Sequence, residues 1–108
     1  MTPNYKRPFL DFVKKAHRVL RLAIEDEVEV VCADPMTGQP KSGDLHGIRV
    51  HKFRFNGQEY LMAYRTPTAK QLREGIHVEL LLIDFYQVGT HESFYEILKR
   101  YLRAERKA

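Results

Sequence analysis

The dipeptide Asn56-Gly57 is the feature that most constrains the fold of this 108-residue chain. The segments on either side of it, 47–55 and 59–65, are rich in β-branched and aromatic residues. Asn-Gly favours the positive backbone dihedral angles of a two-residue type I′ turn, whose twist matches that of two antiparallel strands. The sequence therefore predicts a β-hairpin, and the rest of the chain has to complete a sheet around it.

The segment before the hairpin predicts helices. Apolar residues recur at helical spacing from residue 9 to residue 31. We expect two helices, 6–18 and 20–33, because one helix of about 25 residues is too long to wrap the core of a small domain. One continuous helix stays open, and so does a strand at 27–32, where apolar residues alternate with others. Residues 4–7 could add a short strand.

The segment after the hairpin predicts one strand and one helix. Residues 66–75 form a polar connection, and residues 76–88 indicate a long, mostly buried strand that we place at the centre of the sheet. In 91–103, four apolar residues share one helical face: Phe94, Ile97, Leu98 and Tyr101. The predicted class is α+β, with two N-terminal helices packed on one face of a small antiparallel sheet and a C-terminal helix.

Length and composition exclude several classes of protein. A chain of 108 residues fits one domain, 1–108. Its single cysteine, Cys32, rules out a disulfide-stapled scaffold, and no apolar run approaches the roughly 20 residues that span a bilayer. No signal peptide is visible, so we expect a cytoplasmic protein. The five histidines lack zinc-site spacing and no phosphate-binding glycine loop is present, so we expect no metal, cofactor or small-molecule ligand.

Positive charge is concentrated in the predicted hairpin of a chain whose net charge is +4. Against one carboxylate, Glu59, residues 47–65 hold Arg49, His51, Lys52, Arg54 and Arg65. Strand alternation puts Arg49 and His51 on one face and Lys52 and Arg54 on the other, unless a bulge near His51 re-aims them. These side chains are either ordinary solvent-facing charges or an RNA-binding surface in which Arg49, Lys52 and Arg54 contact phosphates.

Three segments of the chain form a pattern of motifs: GDLHGIRVHKF at 43–53, YLMAYR at 60–65 and VGTHESFY at 88–95. Together they resemble toxins of the RelE/ParE superfamily. Their order and spacing agree together and cover most of the chain. The resemblance implies two helices packed on an antiparallel sheet, which favours helix over strand at 27–32. It also implies the toxin of a type II toxin–antitoxin pair, with an antitoxin protein as partner.

Members of this superfamily act in two ways. Many bind the ribosomal A site and cut mRNA, whereas the ParE branch blocks DNA gyrase. Gly89-Thr90-His91 followed by Tyr95 resembles the histidine-using, YafQ-like ribonucleases, while Leu61 stands where RelE-like members often carry an arginine. The resemblance thus implies a ribosome-dependent mRNA endonuclease with ribosome and mRNA as partners. A gyrase inhibitor and a non-enzymatic RNA- or protein-binding domain are the alternatives.

RNA cleavage by 2′-hydroxyl attack sets the chemistry that such a site needs. It requires a base, an acid and cations for the phosphate, and histidine, with an unperturbed pKa of about 6.5, suits either proton role. From the resemblance we assign His91 as general acid or base with His51 as its partner, and Arg65 and Lys52 as phosphate ligands. Tyr95 would stack on a base or orient the substrate. On spacing alone, His91 is better explained as a residue at the start of a helix.

Overall fold

A sheet with helices on both faces organises the chain in the computed structural model, which describes residues 1–67, 70, 73–74 and 81–107. The strands of this part of the chain are β1 (Thr2–Tyr5), β2 (Gln39–Pro40), β3 (Arg49–Phe55), β4 (Gln58–Arg65) and β5 (Leu82–Gly89). Its helices are α1 (Arg7–Lys15), α2 (Arg18–Ala33) and α3 (Phe94–Lys107). The α+β class predicted from the sequence is confirmed.

The hairpin forms as the Asn56-Gly57 signal predicts. Asn56 has φ 51° and Gly57 has φ 79°, so both turn residues occupy the left-handed region that a type I′ turn requires. β3 and β4 pair without interruption from Phe55 opposite Gln58 to Arg49 opposite Tyr64. The bulge considered near His51 is therefore absent from this ladder, and side chains alternate regularly along β3.

The strand order is β1-β5-β4-β3-β2, which corrects two expectations. The centre of the sheet is β4 rather than β5, because β1 pairs with the outer edge of β5. That pairing is parallel, so the sheet is mixed rather than purely antiparallel. The short N-terminal strand expected at 4–7 forms two residues earlier, as β1. Of the strand predicted at 76–88, residues 82–88 lie in β5, and residues 76–80 lie outside the described residues, as do residues 68, 69, 71, 72 and 75 of the connection at 66–75.

Two helices precede the hairpin, and the break between them has a local cause. Ala16 and His17 are both extended, and His17 Nδ1 accepts a hydrogen bond from Leu20 N at 3.3 Å, which caps the start of α2. α2 then continues to Ala33, so the continuous helix and the strand at 27–32 are both wrong. Among the described residues no helix is long and apolar enough to cross a membrane.

Each face of the sheet has its own apolar core. On one face α1 and α2 pack against β-strand residues that include Met62, Tyr64 and Phe85. On the other face α3 packs against a second set of β-strand residues, including Leu61, Ala63 and Tyr86. α3 buries Phe94, Leu98 and Leu102, whereas Ile97, which the sequence placed on the buried face, is 42% exposed. The C-terminal helix therefore covers the face that the N-terminal helices leave open.

Tyr64 connects the first core to the loop between α2 and β2. Its side chain is fully buried, its hydroxyl donates to Pro35 O at 2.8 Å, and it accepts from Gly38 N at 2.8 Å. A Cβ on Gly38 would lie 2.7 Å from the Tyr64 hydroxyl oxygen, so only glycine fits there. This contact holds the loop in the position from which β2 pairs with β3.

We expect Tyr64→Phe to lower the free energy of unfolding by about 1–3 kcal/mol, because it leaves the buried Gly38 N–H without its acceptor. Urea unfolding followed by circular dichroism measures the change. Tyr60→Phe is the matched control, since it removes a hydroxyl from a ring that is only partly buried. Equal effects of the two substitutions would contradict this account of the Tyr64 contact.

Candidate functional site

The basic side chains of the hairpin divide between the two faces of the sheet. Val50 lies in the core beneath α3, and Phe53 lies in the core beneath α1 and α2. By strand alternation, Lys52 and Arg54 therefore share the α3 face, whereas Arg49 and His51 share the face of α1 and α2. Lys52 and Arg54 are exposed there.

His91 contacts Glu59 on the α3 face of the sheet. The contact joins His91 Nε2 to Glu59 Oε1, and the two side chains are 54% and 34% exposed. The pairing of β4 with β5 explains it: Leu61 lies opposite Gly89, so the same antiparallel register carried two residues further sets Glu59 opposite His91. Two residues that are 32 positions apart in sequence thus meet at the end of the ladder.

The turn that carries His91 is fixed from two sides. Phe94 N donates to His91 O at 3.2 Å, and the buried Gln87 Nε2 donates to Phe94 O at 2.9 Å. A bulge directs Gln87 to this position: Ala63 pairs with Gln87 and Tyr64 with Phe85, so Tyr86 is an extra residue in β5. This bulge lies in β5, not near His51 where the sequence left one open, and it supports the start of α3.

Charge around the pair favours an ionised Glu59. The hydrogen bond from His91 is the largest effect and lowers the pKa of the Glu59 carboxyl below its ordinary value. Burial opposes this shift, and the positive charges of His91, Lys52 and Arg54 each lower the pKa by a smaller amount. An ionised Glu59 accepts a hydrogen bond from a protonated Nε2 and so fixes the orientation of the ring. Among the described residues Glu59 is the hydrogen-bond partner of the His91 ring, and it binds Nε2, which leaves Nδ1 available to a substrate.

His51 does not join His91. It lies on the opposite face of the sheet, where its Nε2 donates to Glu27 Oε1 of α2 at 2.9 Å. Its side chain is only 12% exposed, and its ring stacks on Phe53 with the centroids 6.1 Å apart. The sheet separates the two histidines, so the structure does not bring together the acid–base pair expected from the sequence.

Arg65 also lies away from the pair. It lies six positions along β4 from Glu59, which corresponds to about 20 Å along a strand. Its guanidinium group lies 5.5 Å from the centroid of the Tyr86 ring, and its buried Nε has no hydrogen-bond partner among the described residues. Arg65 therefore packs at the far end of the α3 face.

The two remaining candidates occupy different environments. Tyr95 lies in the first turn of α3, where the Lys41 ammonium group sits 5.5 Å from the centroid of its ring and Phe94 packs edge-on at 5.3 Å. Arg49 donates to Gly38 O at 2.6 Å and to Met36 O at 3.3 Å, so it holds the loop after α2. Tyr95 thus stays beside the His91 turn, whereas Arg49 has a structural partner.

Glu59 is the site residue that sequence reasoning missed. The sequence showed it as the one carboxylate of a basic hairpin, and that was the signal available. Its role depends on the register of β4 with β5, which the sequence does not specify. Among the described residues no group of three His, Cys, Asp or Glu side chains could hold a metal ion.

Comparison with known proteins shows which family model matches this chain and which solved structures share its fold. A family model described as a ParE-like toxin of a type II bacterial toxin–antitoxin system matches residues 4–99. A chain of the intact Escherichia coli RelBE toxin–antitoxin complex superposes with a TM-score of 0.58 at 13% identity, covering 82% of this chain and 94% of its own. The isolated E. coli RelE toxin gives 0.56 at 16% identity, covering 93% and 97%. No curated protein matches by sequence.

We expect the pKa of Glu59 to rise toward the ordinary glutamate range in His91→Ala, because the hydrogen bond that favours the carboxylate is lost. NMR titration of the side-chain carboxyl carbon measures this shift. Lys52→Gln is the control and should raise the pKa less, since Lys52 acts only through its charge. An unchanged Glu59 pKa in His91→Ala would contradict the pairing.

The same shift gives a pH dependence of stability with a definite sign. The folded state lowers the pKa of Glu59, so the pair stabilises the fold above the pKa of an unfolded glutamate. That stabilisation disappears as the pH falls through the lower, folded value. The stability difference between wild type and Glu59→Gln should therefore shrink on acidification through that range.

Proposed function

The chain belongs to the family of ParE-like toxins of type II bacterial toxin–antitoxin systems, and we propose that it is an endoribonuclease that cuts mRNA on the ribosome with His91 and Glu59 at its centre. The observation that carries this proposal is the contact between His91 and Glu59 on an exposed, basic face of the sheet. A histidine oriented by a carboxylate is a common arrangement for moving a proton near neutral pH.

In the proposed reaction His91 acts first as a base and then as an acid. Glu59 keeps the proton on Nε2, so the lone pair on Nδ1 accepts the proton of the substrate 2′-hydroxyl. The 2′ oxygen bonds to phosphorus while the bond from phosphorus to the 5′ oxygen breaks. The departing 5′ oxygen takes the proton from His91, which leaves a 2′,3′-cyclic phosphate and a 5′-hydroxyl end and restores the histidine.

Lys52 and Arg54 supply positive charge to the phosphate. Both are exposed on the face that carries Glu59, and both are near enough to lower the pKa of its carboxyl. The phosphate gains negative charge as the 2′ oxygen bonds to it, and fixed cations stabilise that charge. In this proposal Tyr95, in the first turn of α3, orients the substrate, and Lys41 lies over one face of its ring.

Three residues expected to act in the site are assigned other roles in this proposal. His51 pairs with Glu27 on the other face, and Arg49 holds the loop after α2. Arg65 packs on Tyr86 at the far end of β4. One histidine can carry out both proton transfers in sequence, so the reaction does not need His51.

We further propose that the partner antitoxin covers this face in the cytoplasm. Lys52 and Arg54 would meet carboxylates of the antitoxin, because groups that bind phosphate also form charge-assisted hydrogen bonds with carboxylates. An acidic segment docked there would exclude the mRNA by occupying the same cations. The antitoxin should then protect Lys52 from chemical acetylation in the purified complex.

Inhibition of DNA gyrase is the second candidate function. The match to a ParE-like family model favours it, since the ParE branch of the superfamily acts on gyrase. A gyrase inhibitor binds its target without proton transfer, so it has no need of an acid–base residue. The two functions therefore differ in their dependence on His91.

We expect His91→Gln to lower mRNA cleavage by roughly 10²–10⁴-fold, the usual contribution of one general acid–base group. Glutamine keeps a hydrogen bond to Glu59 but cannot exchange a proton near neutral pH. Mapping of mRNA 5′ ends after induction measures cleavage, and growth measures toxicity. His51→Gln is the matched control and should leave cleavage unchanged.

The outcome separates the candidates. A His91→Gln variant that stays as toxic as wild type and still inhibits purified gyrase would contradict the endoribonuclease and support the second function. Loss of cleavage in His51→Gln but not in His91→Gln would place the chemistry on the opposite face of the sheet. Circular dichroism of each variant shows whether the fold persists.

A further inference from the structure

A second group of cations lies on α3, away from the contact between His91 and Glu59. Lys99, Arg103 and Arg106 follow one another four and three residues apart, so they share one side of the helix. Together with Asp44, in the turn between β2 and β3, they line a cavity of about 180 Å³. Arg106 Nη2 donates to Asp44 O at 3.2 Å, which holds the turn against the helix. We call this the α3 cavity.

The preference of cations for a helix C-terminus explains only part of this cluster. Cations near a helix C-terminus interact favourably with the last backbone carbonyls, and this effect falls off within the final turn. Arg106 lies in that turn, but Lys99 lies about two turns before the end of α3 at Lys107. The face of α3 that packs on the sheet carries Leu98 and Leu102, so the cations lie beside the packed face.

The α3 cavity has the chemistry of a phosphate site. Its lining residues are three cations and one carboxylate, all of them charged. A guanidinium group presents several donors in a plane that matches the oxygens of a phosphate. An amphipathic peptide docks by inserting apolar side chains into an apolar groove, and these lining residues offer it no such surface. The lining therefore favours a nucleic-acid backbone over a peptide.

The α3 cavity and the candidate site lie along the same helix. α3 begins three residues after His91, and Lys41 lies against Tyr95 in its first turn. Lys99 and Arg106 then extend the positive charge over about 10 Å of helix axis. A strand bound at His91 and running along α3 would meet these groups in order.

We propose that the α3 cavity binds backbone phosphates of the RNA strand that is cleaved at His91. The identity of that strand rests on the proposed function, whereas the contact with phosphate rests on the cavity itself. Phosphate contacts position a strand without reading its sequence. The cavity would thus set how the RNA lies on the toxin and leave the choice of cleavage position to the site at His91.

The test measures the salt dependence of RNA binding. The full chain carrying His91→Gln is titrated into a fluorescently labelled short single-stranded RNA at several salt concentrations. Adding Lys99→Gln, Arg103→Gln and Arg106→Gln should reduce the slope of log affinity against log salt by about 2, because each phosphate contact on a single strand contributes about 0.7. The control, Lys14→Gln with Arg18→Gln and Arg21→Gln, removes the same charge from α1 and α2 and should leave the slope unchanged.

Asp44→Asn tests the same cavity and should change the affinity for RNA in the opposite direction. It removes the one carboxylate among the lining residues and should tighten RNA binding, so the proposal stays testable if the triple variant does not fold. Equal slopes for the α3 variant and the control would overturn it. Retained RNA binding with lost binding to polyglutamate would also overturn it, in favour of an acidic protein partner. Mapping of mRNA 5′ ends tests the proposed endoribonuclease activity separately, because that experiment does not depend on the α3 cavity.

Discussion

The register between β4 and β5 is the constraint on which the rest of the structure depends. β4 supplies both cores at once, with Met62 and Tyr64 facing α1 and α2 and Leu61 and Ala63 facing α3. A shift by one residue would exchange the two sets of side chains between faces and leave both cores mismatched. The same register brings Glu59 opposite His91. The candidate site is therefore positioned by the packing of the two cores, and hydrogen bonds from Phe94 N and Gln87 hold the turn that carries His91.

The two faces of the sheet give side chains of the same type different surroundings. On the face of α1 and α2, His51 is paired with Glu27, and Arg49 binds backbone carbonyls. On the face of α3, Lys52 and Arg54 stay exposed near Glu59, and Arg54 Nη2 donates to Gly57 O at 3.3 Å at the surface. Both histidines pair with a glutamate through Nε2, but His51 is only 12% exposed, whereas His91 is 54% exposed and its Nδ1 can reach a substrate. The role that each histidine can take therefore depends on its burial and its accessible ring nitrogen, not on its residue type alone.

The docking of α3 positions both the His91 turn and the α3 cavity. Leu98 and Leu102 bury their side chains against the sheet, and near the end of the helix Glu105 accepts from the Tyr86 hydroxyl at 3.2 Å and pairs with Lys6 at 3.2 Å. Burial raises the pKa of Tyr86 to about 12, so its hydroxyl keeps the proton that it donates. The ion pair with Lys6 is partly exposed, and pairs of that kind contribute little. Apolar packing is thus the main force that holds α3, and the polar contacts set its alignment.

Three short motifs indicated the superfamily. The sequence by itself also determined the Asn56-Gly57 hairpin and the C-terminal helix, and it favoured a break between the first two helices without excluding one continuous helix. Each of these depends on neighbouring residues, whose dihedral preferences and apolar periodicity can be seen in the chain. Only the tertiary structure decided that β4 is central, that β1 pairs in parallel, that His51 and Arg65 lie away from His91 and that Glu59 joins it. Alternation shows which residues of a strand share a face, but it does not show which helix covers that face. The partner of His91 is 32 residues away, and its identity depends on a register that is set by two cores packing at once.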